Sequence, residues 1–227
     1  MISCESLLRG IAHLSGEAIA ATVGAFAGAG AAFALQMVHE KRLKADKEYA
    51  AIINAQHSLL FMLKILTGVQ NQHLDAEKSH PDRHIRLTEF LTTEKHVGID
   101  LASLNFLFRP NMRELISRCF YAERSFLNAF DSLRDRNAVW KAIRARPGAV
   151  SEISPKTGIG TLSLTNEEIR QLKSFTDQLY RSVEVALSLC NDAFTDLRRC
   201  AKMAFPERNF LKRDMVMKPL PNESGPV

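Results

Sequence analysis

Hydrophobic residues along this chain fall into two patterns, one unbroken run near the start and a long series of helical stripes after it. Residues 18–38 contain no charged side chain, and Gln36 is the only strongly polar one. About 21 residues make a helix of roughly 30 Å, the thickness of the hydrocarbon core of a bilayer. A helix satisfies its own backbone hydrogen bonds and so can cross lipid. The run is mostly Ala and Gly, with Ile19, Val23, Phe26, Phe33, Leu35, Met37 and Val38 supplying the strong hydrophobicity. The pattern predicts a transmembrane helix. A buried helix of a soluble protein and a cleaved signal peptide are the alternatives. Ala32-Phe33-Ala34 would suit cleavage. However, the early region has Glu5 and Glu17 beside a single Arg9, and the run outlasts a usual signal core.

After the run the period becomes three to four. Leu43, Ala50, Ile53, Leu60, Leu63 and Leu66 form an amphipathic stripe that predicts a helix over 39–72. Within it, 49–69 carries one charge, Lys64, so a second span is conceivable. Asn54, Gln56, His57 and Ser58 make that span expensive. Pro81 suits a first helical turn, and Ile85, Leu87, Phe90, Val97, Ile99, Leu101, Leu104 and Leu107 predict helix over 81–108, with Gly98 as a break and Pro110 as the end. Asn111 with Glu114 opens a third helix, 111–146. Residues 147–164 read as a loop. Thr165 with Glu168 forms a capping box, and Leu172, Phe175, Leu179, Val183, Ala186, Cys190, Ala193, Leu197 and Cys200 then step by three or four over 166–205, a coiled-coil-like seam. The expected fold class is all-α: a short tail (1–17), one N-terminal transmembrane helix (18–38), an up-down helical bundle (39–205) and a flexible, basic, proline-containing tail (206–227).

Charge adds an orientation. Lys41, Arg42, Lys44 and Lys47 follow the span, while Arg9 alone precedes it, which by the positive-inside rule puts the bundle in the cytoplasm and the N-terminus outside. An up-down order brings Arg109, Arg113, Arg198, Arg199 and Lys202 to the same membrane-proximal end. With a net charge of +5, the expected partner is a bilayer with anionic head groups. Nucleic acid is disfavoured as a direct ligand, because no recognition motif accompanies the charge. Small residues Gly16, Ala20, Gly24, Gly28 and Ala32 recur every four positions, a ridge suited to close helix–helix approach and homo-oligomerisation in lipid.

Candidate chemistry changes little. No phosphate loop, dinucleotide fingerprint, nucleophile elbow or H-E-x-x-H motif is present. Cys4, Cys119, Cys190 and Cys200 lack the spacing of a zinc or disulfide framework. His73, Asp75, Glu77, His80 and His84 crowd one turn, but Pro81 separates the last two, so no metal or other cofactor is expected. The expected function is a membrane-anchored interaction or scaffold protein without catalytic activity, docking an unidentified cytoplasmic protein. The alternative is a membrane-perturbing effector acting through the small-residue ridge. In layout, though in no motif, the chain resembles small bacterial membrane effectors of toxin or defence type.

Overall fold

The computed structural model describes residues 4–90, 97–107, 113–148 and 162–211. The protein is nearly all helical, and no strand occurs among the described residues. Helix α1 runs unbroken from Cys4 to Val69 and continues as a π-helical turn, Gln70–Leu74. The short helix α2 covers Arg83–Arg86, and a 3-10 helix covers Ala102–Leu107. The long helices α3 (Arg113–Ala145) and α4 (Asn166–Ala204) complete the chain. By its contacts the molecule divides into two units, residues 1–48 and 49–227.

Two expectations need correction. Residues 4–17 were expected to be a tail, and their backbone is helical. No proline interrupts the chain before residue 81, so a helix once nucleated propagates through this region. The helix expected over 81–108 is the second. Among its described residues, 81–90 and 97–107, one turn of α-helix and a later 3-10 turn form, and Leu87 is already extended. Its apolar residues still reach the core: Leu87, Phe90, Ile99, Leu104 and Leu107 are buried. Side chains from α3 take the carbonyls that a helix would use. Arg136 donates to the carbonyls of His84, Leu87 and Thr88, and Asn137 donates to that of Phe90 at 3.0 Å. Tertiary contacts here override propensity.

Within the second unit, residues 51–69 of α1 share one core with α3 and α4. Helices α3 and α4 run antiparallel. Ala122 lies beside Cys190, Ser132 beside Ser182 and Arg118 beside Asp196. The α1–α4 pair is also antiparallel. The Tyr180 hydroxyl donates to the Leu74 carbonyl at 2.7 Å, while Tyr49 meets Phe205 at the opposite end. The segment between α2 and α3 returns alongside them: Phe90 stacks on His73, and further on the Ser58 hydroxyl donates to the Gly98 carbonyl. The seam of α4 buries Leu172, Thr176, Leu179, Val183, Ala186, Cys190, Ala193 and Leu197. Its start is fixed by reciprocal hydrogen bonds between Thr165 and Glu168. Arg146, at the end of α3, grips the same Glu168 at 2.8 Å, joining the two helices across the loop.

Candidate membrane anchor and its junction

Every residue from 23 to 38 is exposed. Phe26 is 75% and Leu35 71% accessible, and Val23, Phe33, Met37 and Val38 are also open to solvent. Burying each such side chain is worth about 1.5–3 kcal/mol, so water contact of the six costs on the order of 10 kcal/mol. Contiguous apolar surface of this kind marks a site for lipid or for another protein. Along the ridge, a Cβ added at Gly24 or Gly28 would meet nothing within 4 Å, and Ala32 is exposed. The surroundings of Gly16 and Ala20 lie outside the described ones.

Helix α1 is long and apolar enough to cross a membrane. Its second apolar stretch, however, belongs to the core. Ile52, Ala55, Leu59, Leu60, Met62, Leu63, Leu66 and Val69 are buried against the rest of the second unit. Of the two stretches, only 23–38 has no protein cover.

Lys41, Arg42, Lys44 and Lys47 are all exposed. Glu40, Asp46 and Glu48 interleave with them, so residues 39–48 hold four basic side chains against three acidic ones. Gln36 donates to Glu40 at 2.9 Å. The positive-inside rule depends on Lys and Arg rather than on net charge, so the acids leave the orientation argument intact. They do dilute attraction to a charged leaflet.

The remaining basic positions are dispersed. Arg109 lies outside the described residues. Arg113 is exposed at the start of α3, and Lys202 is exposed in the last turn of α4. Arg199 lies 3.3 Å from Asp196, which also binds Arg118. Glu114 and Asp196 hold the Arg118 guanidinium protonated and raise its pKa further. Arg198 is half-buried, and its Nε is out of water without a hydrogen-bond partner.

At the start of the second unit, Tyr49 is clasped by the segment that follows α4. Its hydroxyl donates to the Asn209 carbonyl at 2.7 Å. Phe205 and Phe210 pack edge-on with ring centroids at 6.1 and 5.5 Å, and the Arg208 guanidinium lies 5.1 Å from the Tyr49 ring centre. Sequence periodicity gave no sign of this cluster, because Phe205, Arg208 and Phe210 stand at and beyond the Pro206 helix stop.

The chemistry of the second unit is quiet. His73 stacks on Phe90 at 4.1 Å, and His80 Nδ1 accepts from the Asp82 amide. His84 is buried, and burial lowers its pKa despite nearby Asp82. No three metal-ligating side chains converge among the described residues. Burial pushes the Cys119 and Cys190 thiols up to about 12, which leaves them protonated and unreactive at neutral pH. A cavity of about 260 Å³ is lined by Lys78, Arg83, Asp177, Tyr180 and Glu184. Arg83 is committed there, 2.7 Å from Asp177 and stacked over Tyr180.

Arg136 is the residue that sequence reading missed. It is fully buried in α3 and lies 5.5 Å from the Trp140 ring centre. Burial lowers its pKa to about 10, partly offset by Glu89. It remains charged at neutral pH, with backbone carbonyls as its acceptors and its Nε unpartnered. The available signal was its place on the apolar stripe, between Leu133 and Trp140 at helical spacing. No protein-family model, curated protein or solved structure matches the chain.

Proposed function

We propose that the protein is a single-pass, membrane-anchored helical module with no catalytic role. Residues 18–38 span the bilayer, the N-terminus lies outside, and the second unit works in the cytoplasm as a docking scaffold. The observation that carries this reading is the apolar surface of 23–38, open on every side while most large apolar residues of 52–69 are buried and Phe61 alone among them is exposed. Lipid removes the cost of that exposure without requiring a protein partner for each face. The antiparallel pairings of α4 with α1 and with α3 support the up-down order of a bundle. The burial of Cys119 and Cys190, which keeps their thiols protonated at neutral pH, favours docking over thiol catalysis.

Extraction tests the reading. The full chain should stay with membranes through carbonate and high-salt washes, and a chain beginning at Glu40 should be soluble without detergent. Release of the full chain by carbonate would overturn the anchor. A reporter active only in the cytoplasm should work when fused after Val227, and activity only of an external reporter would reverse the orientation.

A second reading, self-association of the span in a membrane-perturbing effector, is favoured by the open space at Gly24 and Gly28. Under it Gly28→Leu weakens crosslinking between copies, while Ala27→Leu, on another face, leaves it unchanged. Equal crosslinking of the two variants would remove this reading.

A further inference from the structure

Helix α3 turns an aromatic pair to solvent. Phe120 is 44% and Tyr121 59% accessible, and their rings meet edge-on with centroids at 5.7 Å. The other large apolar side chains of α3 are buried or half-buried in the second unit. Arg113, Phe120, Arg124 and Asp131 are all exposed and stand 7, 4 and 7 residues apart. At about 100° per residue they fall within roughly 40° of one line along the helix, the spacing of a coiled-coil seam. Tyr121 flanks that line.

The seam is symmetric about position 122. Arg113 and Asp131 lie nine residues to either side, and Phe120 and Arg124 lie two to either side. A second α3 laid antiparallel about that point sets Arg113 against the partner's Asp131 at both ends. At the centre each Phe120 ring meets the partner's Arg124, a cation–π contact. A two-fold interface needs this self-complementarity. Parallel pairing would instead oppose arginine to arginine and aspartate to aspartate, which is repulsive. Competition within the protomer is weak. Arg113 and Arg124 have no ion-pair partner among the described residues. Asp131 meets Arg134 at 3.2 Å, an exposed i,i+3 pair of the kind that contributes little.

We propose that two copies of the chain pair antiparallel through this face of α3, with the two Arg113–Asp131 pairs fixing the register and Phe120 filling the centre. The surface lies wholly in the second unit. It is separate from the small-residue ridge and does not depend on whether 18–38 crosses a membrane. The seam is about 27 Å long and holds few apolar groups, so the expected dissociation constant is modest, on the order of 1–10 µM.

Charge exchange tests the pairing. The full chain is studied in detergent micelles, or in buffer if it needs none, by sedimentation and by co-purification of tagged with untagged copies. Every sample carries Gly28→Leu, which removes association through the ridge. In this background the chain still self-associates. Arg113→Asp creates two like-charged pairs, as does Asp131→Arg, and each weakens association at least about tenfold. Mixing the two variants restores both pairs, so a mixed dimer forms where neither variant pairs with itself. Phe120→Ala weakens association while leaving the charges in place. All three positions are exposed, and unchanged circular dichroism melting confirms that each variant is folded. A Gly28→Leu chain that stays monomeric, charge variants that associate like their parent, or a mixture that does not pair would each overturn the proposal, leaving the anchor reading to its own extraction test.

Discussion

Two apolar stretches lie on the same helix and have opposite surroundings. Residues 52–69 bury Ile52, Leu59, Leu60, Met62, Leu63 and Leu66, whereas residues 23–38 expose every side chain. Neither length nor overall apolarity separates them, since both could form a span. What separates them is periodicity and shape. The later stretch interrupts its apolar residues with Asn54, His57 and Lys64, which fall on one side and stay exposed while the other side packs. It also carries large branched side chains at the spacing that fills a helix–helix seam. The earlier stretch has no polar stripe to face water, and its small residues offer little volume to a protein core. A helix apolar all round needs a solvent that is itself apolar, or partners on all sides.

The same substitution in each stretch should therefore fail in different ways. Leu63→Asp places a carboxylate at a position 1% accessible, and should unfold the second unit while membrane attachment persists. Phe26→Asp should leave thermal unfolding of the second unit unchanged and cost about 3 kcal/mol in membrane insertion. For a span this rich in Ala and Gly, that moves most of the protein out of the membrane fraction. Circular dichroism melting and carbonate extraction of both variants read the two outcomes. Melting lowered by Phe26→Asp would mean that the stretch packs on protein.

Inside the second unit the comparison sharpens around Arg136. Removing it with Arg136→Ala strands the carbonyls of Leu87, Thr88 and His84 and leaves a cavity, at a cost of about 2–3 kcal/mol in urea unfolding. Arg136→Met loses the same hydrogen bonds and the same buried charge but fills the space, so it should cost less than Ala. If Met costs as much as Ala, the lost hydrogen bonds to the 84–88 carbonyls outweigh the cavity.

The smallest expected effect is a pH dependence through His84. Burial depresses its folded pKa below the unfolded value of about 6.5. Between the two values the unfolded chain binds more protons, so the His84 contribution is fully present above about pH 6.5 and is lost as pH falls through the folded pKa. Glu168, whose pKa is lowered chiefly by the Thr165 backbone hydrogen bond, loses its contribution in the same direction but at lower pH. Urea midpoints should fall between pH 7.5 and pH 5.5 in the native chain and fall less in His84→Gln. Equal slopes would place the acid sensitivity elsewhere.

Legibility followed the range of the interactions. The capping box was visible because Thr165 and Glu168 are three residues apart and their bonds are local. The bounds of α4 followed from a regular three–four stripe closed by Pro206. The irregular backbone of 87–90 and 97–101 was not legible. Its apolar spacing fits a helix, and what prevents one is Arg136 and Asn137, some fifty residues away. The clasp on Tyr49 was hidden for the same reason, since Tyr49 and Asn209 are 160 residues apart. Among the site positions, the exposure of the basic cluster after the span followed from its charge and the i,i+3 pair of Arg199 with Asp196 is local to α4, but the sharing of Asp196 with Arg118 and the partial burial of Arg198 depended on tertiary packing.

By itself the sequence determined the helical class, the position of the uncharged run, the start of α4 and the lack of catalytic motifs, because these rest on composition and on contacts within a few residues. Only the tertiary structure decided which apolar stretch is covered, that α1 continues unbroken into the core, that Arg136 is buried, and that the basic end of α4 is fastened beside Tyr49. Those outcomes depend on partners distant in the chain, whose identity a local pattern of hydrophobic and polar residues does not encode.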